Sequence, residues 1–248
     1  MEYLQFSEEC SRIFQQNNLP APSKEQSEKL HYLTEHLLKV NQVMNLTAIR
    51  DEKQIILKHY VDSLTLLPYL PEGAKMLDVG CGAGFPTLPI AIFRPDLQIT
   101  ALDSTAKRIE FVKNVATQLN LSHVSPVVAR AEDIAHTPQN REHFDVVTAR
   151  AVAALPVLAE LCLPLCRVGG TFLAMKAKQA PDEILVARNA IGSCGGEICA
   201  THAISLTSGN NSSEISDSDR RILLEIKKIS QTPKIYPRHF SKITKKPL

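Results

Sequence analysis

The run Leu77-Asp78-Val79-Gly80-Cys81-Gly82-Ala83-Gly84-Phe85-Pro86 reads as the end of a buried strand, a glycine turn and the start of a helix. Three glycines at alternate positions, Gly80, Gly82 and Gly84, let the backbone turn tightly and approach a ligand. The helix amino terminus that follows offers unpaired N–H groups and a partial positive charge, and Pro86 suits the beginning of that helix. The loop lacks the lysine and Ser/Thr of a phosphate-binding P-loop. Its Gly-x-Gly-x-Gly spacing also differs from the Gly-x-Gly-x-x-Gly of dinucleotide folds, which disfavours an NAD site.

Working outward, short apolar runs at 75–79, 98–102, 124–128, 144–148 and 171–175 alternate with amphipathic segments. That alternation predicts βαβ units and an α/β fold with a mainly parallel, Rossmann-like sheet, whose ligands lie at the carboxyl ends of the strands. Later strands are expected at 197–204 and 221–229, and the polar stretch Ser205 to Asp219 as a surface loop. Before the sheet, Ser23-Lys24-Glu25-Gln26 has the form of a capping box. Leu30, Leu33, Leu37, Val40 and Met44 follow at helical spacing, and Asp51 can cap a further helix through Ile55, His59, Tyr60 and Leu64. The expected organisation is an N-terminal helical region over 1–72, a ligand-binding α/β domain over 73–232 and a basic tail over 233–248.

Four strand tips then converge on one nucleoside-sized site. Asp103 ends the second strand 23 residues after Gly80, where a carboxylate can accept both ribose hydroxyls of an adenosine. Ala131-Glu132 follows the third strand, placed to meet an adenine edge, and Arg150 follows the fourth. The competing readings are a helix cap for Asp103, a helical first turn for Glu132 and a salt bridge for Arg150.

The 248 residues, 44% of them hydrophobic and 22% charged, suit one globular domain with an elaboration and exclude wholesale disorder, collagen and coiled coil. The most apolar stretch, Ala151 to Cys166, is broken by Pro156, Glu160 and Pro164 and is shorter than the roughly 20 residues a bilayer span needs. No membrane association is expected. Met1-Glu2-Tyr3 opens without the basic residues and apolar run of a signal peptide, so a cytoplasmic location and reduced cysteines are expected. The six cysteines show no Cys-x-x-Cys pair; Cys162 and Cys166 are read as core filling within a helical stretch, and no metal is expected. Net charge is +2, but Lys227 to Leu248 carries seven Lys or Arg and no acid, leaving 21 basic against 26 acidic residues elsewhere. Such an end, interleaved with Tyr236, His239 and Phe240, suits a polyanion such as RNA; the alternative is a solvated tail.

The ordered motifs Asn45-Leu46-Thr47, His59-x-x-Asp62-Ser63-Leu64, Asp78 to Pro86, Leu102-Asp103-Ser104-x-x-Lys107-Arg108, Arg130-Ala131-Glu132 and Ala149-Arg150-Ala151 carry a family resemblance. They resemble the class I S-adenosylmethionine-dependent methyltransferases, and more narrowly the bacterial 16S ribosomal RNA guanine-N7 methyltransferase G family, also called glucose-inhibited division protein B. The match covers about residues 30 to 180, and Tyr236-Pro237-Arg238 to Leu248 is similar to that family's tail. It departs at Thr87, Ala177, Ser241 and Ile243. The resemblance implies a seven-stranded sheet of order 3-2-1-4-5-7-6 behind the N-terminal helical region, S-adenosylmethionine as cofactor, and 16S rRNA or the small ribosomal subunit as partner. It places Gly80 and Phe85 on the methionine side, Asp103, Ser104 and Thr105 at the ribose, Ala131 and Glu132 at the adenine, and Arg150 beside methyl transfer, as the catalytic residue and as part of the cofactor site.

The residues also constrain the acceptor. Exocyclic-amine methylation calls for an Asn/Asp-Pro-Pro-aromatic turn after the fourth strand, where this chain has Thr148-Ala149-Arg150-Ala151-Val152, and pyrimidine C5 methylation calls for a cysteine nucleophile after proline, which is absent. A ring nitrogen such as guanine N7 already presents a lone pair and needs positioning only. Arg150 is the candidate for guanine contact, its donors aimed at O6. His59 and Asp62, three apart, are expected as a hydrogen-bonded pair under the site, with substrate contact as their other reading; Lys176 and Arg238 are further candidates for facing RNA. A monomer is expected. Two other readings share these motifs, a class I methyltransferase acting on another RNA, protein or small molecule, and an RNA-binding protein with this fold but no turnover.

Overall fold

The computed structural model describes residues 1–177, 180–207 and 219–248. Two helices open the chain, α1 (Tyr3–Gln16) and α2 (Lys24–Met44). The capping box is present: the Ser23 hydroxyl accepts from Gln26 N at 3.2 Å while Gln26 Oε1 accepts from Ser23 N at 2.9 Å. A helical run follows, made of α3 (Glu52–Ile55), a π-helical stretch Ile56–Val61 and α4 (Asp62–Leu64). Asp51 begins it by accepting from Gln54 N at 2.9 Å.

The alternating part runs β1 (Lys75–Val79), α5 (Thr87–Phe93), β2 (Gln98–Asp103), α6 (Ala106–Gln118), β3 (Val124–Val128), α7 (Ala131–Ile134) and β4 (Phe144–Arg150). It continues through α8 (Leu155–Cys162), β5 (Cys166–Ala177), α9 (Ala180–Ser193), β6 (Gly196–Ser205) and β7 (Arg220–Lys228) to α10 (Phe240–Lys245). The sheet order is β3-β2-β1-β4-β5-β7-β6, parallel from β3 to β5, with β7 antiparallel to both neighbours. The order reverses between β1 and β4, the point at which such sheets bind ligands beyond their carboxyl ends. Residues 208–218 of the expected surface loop lie outside the described residues.

Both faces of the sheet are covered, so its strands are apolar on both sides and alternate residues serve two cores. Met76, Ile99, Ala101, Val146 and Leu173 pack with Phe6, Phe14, Leu33 and Tyr60 of the N-terminal helices. Leu77, Val79, Leu102, Val147 and Phe172 pack on the other face with Leu158, Leu161 and Ile191. Cys162 and Cys166 fill this second core as expected. They do not share a helix: α8 ends at Cys162, two residues before Pro164, and Cys166 opens β5. A proline removes a backbone donor and restricts the residue before it, which ends the helix there.

The basic end is folded onto the domain and is not a solvated tail. Ile243 of α10 is buried in the second core, His136 Nε2 lies 2.9 Å from Pro237 O, and Arg141 donates to Thr232 O at 2.7 Å and to Tyr236 O at 3.0 Å. Arg238, a candidate for facing RNA, acts as a clamp. Its Nε and Nη2 donate to Glu160 Oε1 and Oε2 at 2.8 and 2.6 Å, and its backbone N also reaches Oε1 at 2.8 Å. Glu160 on α8 is fully buried, and a buried carboxylate requires a paired cation. Removing one partner of such a pair costs about 3 kcal/mol or more, because the other is left buried and uncompensated. Arg238→Ala should therefore lower the urea unfolding free energy by about that amount, while Lys246→Ala, at an exposed position, should leave it within about 0.5 kcal/mol of wild type.

Candidate functional site

The glycine turn is fixed by the neighbouring strand. Gly80 N and Cys81 N both donate to Leu102 O, at 2.7 and 2.9 Å, and Gly82 N donates to Asp103 Oδ2 at 3.1 Å. Gly80 (φ +73) and Gly82 (φ +57) occupy the left-handed region that favours glycine. A Cβ on Gly80 would sit 2.6 Å from Val152 Cγ2, whereas one on Gly82 would meet nothing nearer than Gly80 O at 4.0 Å and would enter the open space the loop cradles. Gly84 and Thr105 stand behind the cavity walls: Gly84 packs on Leu88, and Thr105 N donates to Asp103 Oδ1 at 2.8 Å.

Two connected hollows meet at the switch point, both touching Gly80, Arg108 and Ala151. The smaller, about 220 Å³, is lined by Asp103, Ser104, Ala131 and Glu132. Asp103 is 4% exposed; besides its backbone donors it has Arg108 Nη1 at 3.5 Å, a loose contact that leaves lone pairs available. Glu132 is met by Arg130 at 3.7 Å, beyond hydrogen-bond reach. The larger hollow, about 600 Å³, is lined by Gly82, Phe85, His59, Asp62, Arg150 and Lys176 among others.

Arg150, the last residue of β4, organises the larger hollow. Its Nη1 donates to Asp62 Oδ2 at 2.8 Å and to Lys58 O at 3.1 Å, its Nη2 lies 3.5 Å from His59 Nδ1, and its Cζ stands 5.6 Å from the Phe85 ring centroid. His59 stacks on Phe85 with centroids 4.3 Å apart and places Nε2 2.9 Å from Thr47 Oγ1. These contacts are satisfied together when Nε2 carries the proton and Nδ1 accepts from Arg150. Burial, then the Arg150 charge, push the imidazole pKa down to about 3, so it is neutral at physiological pH. The expected His59–Asp62 pair is corrected: each binds Arg150 and neither binds the other. The π-helical stretch aims both side chains at the end of β4.

Asp62 Oδ1 also lies 3.3 Å from Arg221 Nε of β7. Lys176 lines the same hollow but is already paired. Its Nζ pairs with Glu183 Oε2 at 2.7 Å and donates to Ala153 O at 3.0 Å, and the same Glu183 oxygen accepts from Leu155 N at 2.8 Å. This lysine ties β5 to α9 and to the start of α8. Sequence reasoning missed Thr47, Arg108 and Arg221. The first two sit inside the ordered motifs, and Thr47 stands there between Leu46 and Ala48, a usable signal; Arg108 follows Lys107 in a polar run, and Arg221 reaches the site only through the antiparallel entry of β7, which no local pattern marks.

Among the described residues, no group of three or more His, Cys, Asp or Glu is placed to hold a metal ion, and no helix is long and apolar enough to cross a membrane. Among solved structures, a geranyl diphosphate methyltransferase in complex with SAM shares the fold with a TM-score of 0.51 at 16% identity, covering 68% of this chain and 85% of that one. The sheet order and helical surround are those of a class I S-adenosylmethionine-dependent methyltransferase. A model of the family rRNA small subunit methyltransferase G matches residues 26–211. Ribosomal RNA small subunit methyltransferase G of Lactobacillus delbrueckii subsp. bulgaricus is 44% identical over 232 residues, 92% of this chain and 93% of its own length. That of Deinococcus radiodurans is 45% identical over 230 residues, 92% and 87%. The chain belongs to the rRNA small subunit methyltransferase G family.

Beneath the glycine turn, Asp78 is fully buried and accepts from Thr87 Oγ1 at 2.7 Å, while its Oδ1 has no partner. Burial raises its pKa from 3.8 to about 6, against the opposing Thr87 hydrogen bond and Arg150 charge. A carboxyl raised in the folded state contributes stability fully present below its unfolded pKa and lost as pH rises through its folded one. Asp78→Asn should thus be the more stable form at pH 8, by up to about 3 kcal/mol, with that gain vanishing below about pH 4. Paired urea titrations at the two pH values test this; an equal difference at both would refute it.

Proposed function

We propose that this chain transfers the methyl group of S-adenosylmethionine to N7 of a guanine in a loop of 16S rRNA. The observation that carries the choice of acceptor is the absence of an available base around the larger hollow, among the described residues. His59 is neutral with both ring nitrogens engaged, Asp62 is held by Arg150, and Glu183 is held by Lys176 and Leu155 N. An acceptor that must lose a proton before attack finds no partner here, whereas N7 carries an in-plane lone pair.

The cavity fits the cofactor: Gly82 leaves the space a Cβ would fill, and Asp103 presents acceptors at the tip of β2. In this reading Gly80, Gly82 and Phe85 border the methionine part, Asp103 with Ser104 holds the ribose, and Ala131 and Glu132 meet the adenine. Gly84 and Thr105 set the backbone behind them. S-adenosylmethionine supplies an electrophilic sulfonium methyl. Arg150, whose Nη1 is committed to Asp62 and Lys58 O, turns its remaining donors to guanine O6 and leaves N7 facing the methyl. The N7 lone pair forms the new bond to carbon, and the carbon–sulfur pair stays on sulfur. His59 and Asp62 hold Arg150 in place.

Residues 1–72 wall the larger hollow through Thr47, His59 and Asp62, residues 73–232 bind the cofactor, and residues 233–248 offer the exposed Lys242, Lys245 and Lys246 to RNA phosphate. The guanine is unstacked, because N7 inside a stacked helix cannot reach a recessed methyl. The protein works as a cytoplasmic monomer, and the reaction calls on no metal because N7 needs no activation.

Labelled methyl incorporation into unmethylated small subunits and into their naked RNA, followed by mapping of 7-methylguanosine by chemical strand scission, tests the reading. One scission site is expected. Asp103→Ala should weaken cofactor binding about a hundredfold by calorimetry, as befits lost hydrogen bonds to a carboxylate. Arg150→Lys should lower kcat about tenfold or more and change cofactor affinity by less than that, because an ammonium cannot reproduce the guanidinium fork. Incorporation at a base atom other than N7 would overturn the assignment.

A further inference from the structure

The carboxyl-terminal helix reaches the adenosine end of the site. Phe240, first residue of α10, lines the smaller hollow with Asp103, Ser104, Ala131 and Glu132, although more than a hundred residues of chain separate it from them. The Arg130 guanidinium stands over its ring, 5.6 Å from the centroid, and reaches towards Glu132 on its other side. The chain is anchored before and after this ring. Two residues earlier Arg238 is clamped to buried Glu160, Pro237 O is held by His136, and three residues later Ile243 is buried. An aromatic ring fixed beside a carboxylate and a strand tip is a stacking platform, and a purine is the partner with a matching face.

We propose that Phe240 is a cofactor-binding residue: its ring forms the adenine-side wall of the S-adenosylmethionine pocket, so docking of the carboxyl-terminal segment is a condition of full cofactor affinity. This rests on the reading that places the adenine at Ala131 and Glu132. The basic segment thereby has a role distinct from its charge. Its lysines stay exposed while Phe240 turns inward, and the Arg238 clamp sets which side of the segment faces the pocket.

The chain contains no tryptophan, so Phe240→Trp introduces a single indole at the proposed wall. Titration with S-adenosylhomocysteine should quench its emission, since adenine stacked on an indole quenches it. By calorimetry, Phe240→Ala should bind S-adenosylhomocysteine about tenfold more weakly, at the low end of base–aromatic stacking, and adenosine alone should lose the same factor. Phe240→Tyr should restore binding. Phe240→Leu, which keeps apolar packing of α10 but has no ring face, should remain weakened; this separates stacking from a loosened helix. Wild-type affinity in Phe240→Ala, or unchanged emission from Phe240→Trp at calorimetric saturation, would overturn the proposal. Asp103→Ala, measured alongside, distinguishes the two levels. If it loses affinity while Phe240→Ala does not, only the role of Phe240 fails; if it binds as wild type, the placement of the pocket fails and the proposal with it.

Discussion

A single carbonyl, that of Leu102, sets the geometry on which the site depends. It accepts from Gly80 N and Cys81 N at once and so ties the turn after β1 to the tip of β2. Two donors on one oxygen hold the chain in a bend that needs a left-handed residue at Gly80, and the next N–H then points at Asp103. Nucleotide-sized space opens above this bend because β1 and β2 run parallel and end together, while β4 lies on the other side of β1 and its helix leaves on the opposite face. Buried Asp78 lies directly below. Its unpartnered oxygen and raised pKa are the local cost of burying a carboxylate under a turn whose amide groups are spent on Leu102 O and Asp103.

Ion pairs then fasten distant segments to that frame. Arg150–Asp62 joins β4 to the helices before the sheet, Lys176–Glu183 joins β5 to α9, Arg238–Glu160 joins the end of the chain to α8, and Lys228–Glu142 joins β7 to the approach of β4. Lys228 is fully buried, and burial lowers its pKa while Glu142 works the other way. Pairs of this kind add little net stability over apolar packing, yet each is costly to break. Their value here is positional. Each determines which face of a segment meets the core, and in Arg150 the ion pair itself forms part of the pocket wall.

The order of strands and helices through β4 was readable because these strands are short, mostly apolar runs separated by helices, so periodicity marks them whatever their neighbours. The glycine turn, Asp103 and Glu132 were readable for a related reason, since their positions follow from local spacing to a strand tip. Arg150 stood out as a charge at the end of a buried run, but its partners did not. His59 and Asp62 looked like a pair because three residues span about one helical turn; the π-helical stretch and the arrival of Arg150 redirected both. The partners of Lys176 and Arg238 were not readable, because charge in sequence carries no information about the carboxylates that meet it elsewhere in the chain. Glu160 sits in the most apolar helix, and its burial was the missing clue to Arg238. Phe240 was noted for composition only, because the fold of the last residues depends on contacts with His136, Arg141 and Glu160, far away in sequence.

On the proposed reaction, the same electrostatics bear on release. Methyl transfer to N7 converts a neutral purine into a cation and the sulfonium into a neutral thioether, so one positive charge moves from the cofactor side of the cavity to the Arg150 side. Asp62 is the carboxylate beside it, and it is shared: Oδ2 takes Arg150 and Oδ1 lies 3.3 Å from Arg221. Before transfer the Arg150 guanidinium faces the electronegative O6 and N7 edge of guanine, an attraction. After transfer it faces a cationic ring, and within a partly enclosed cavity that repulsion is less screened than in water. The thioether at the same time loses its attraction to Asp103. The arrangement that draws guanine in therefore weakens its hold on both products once the bond has formed.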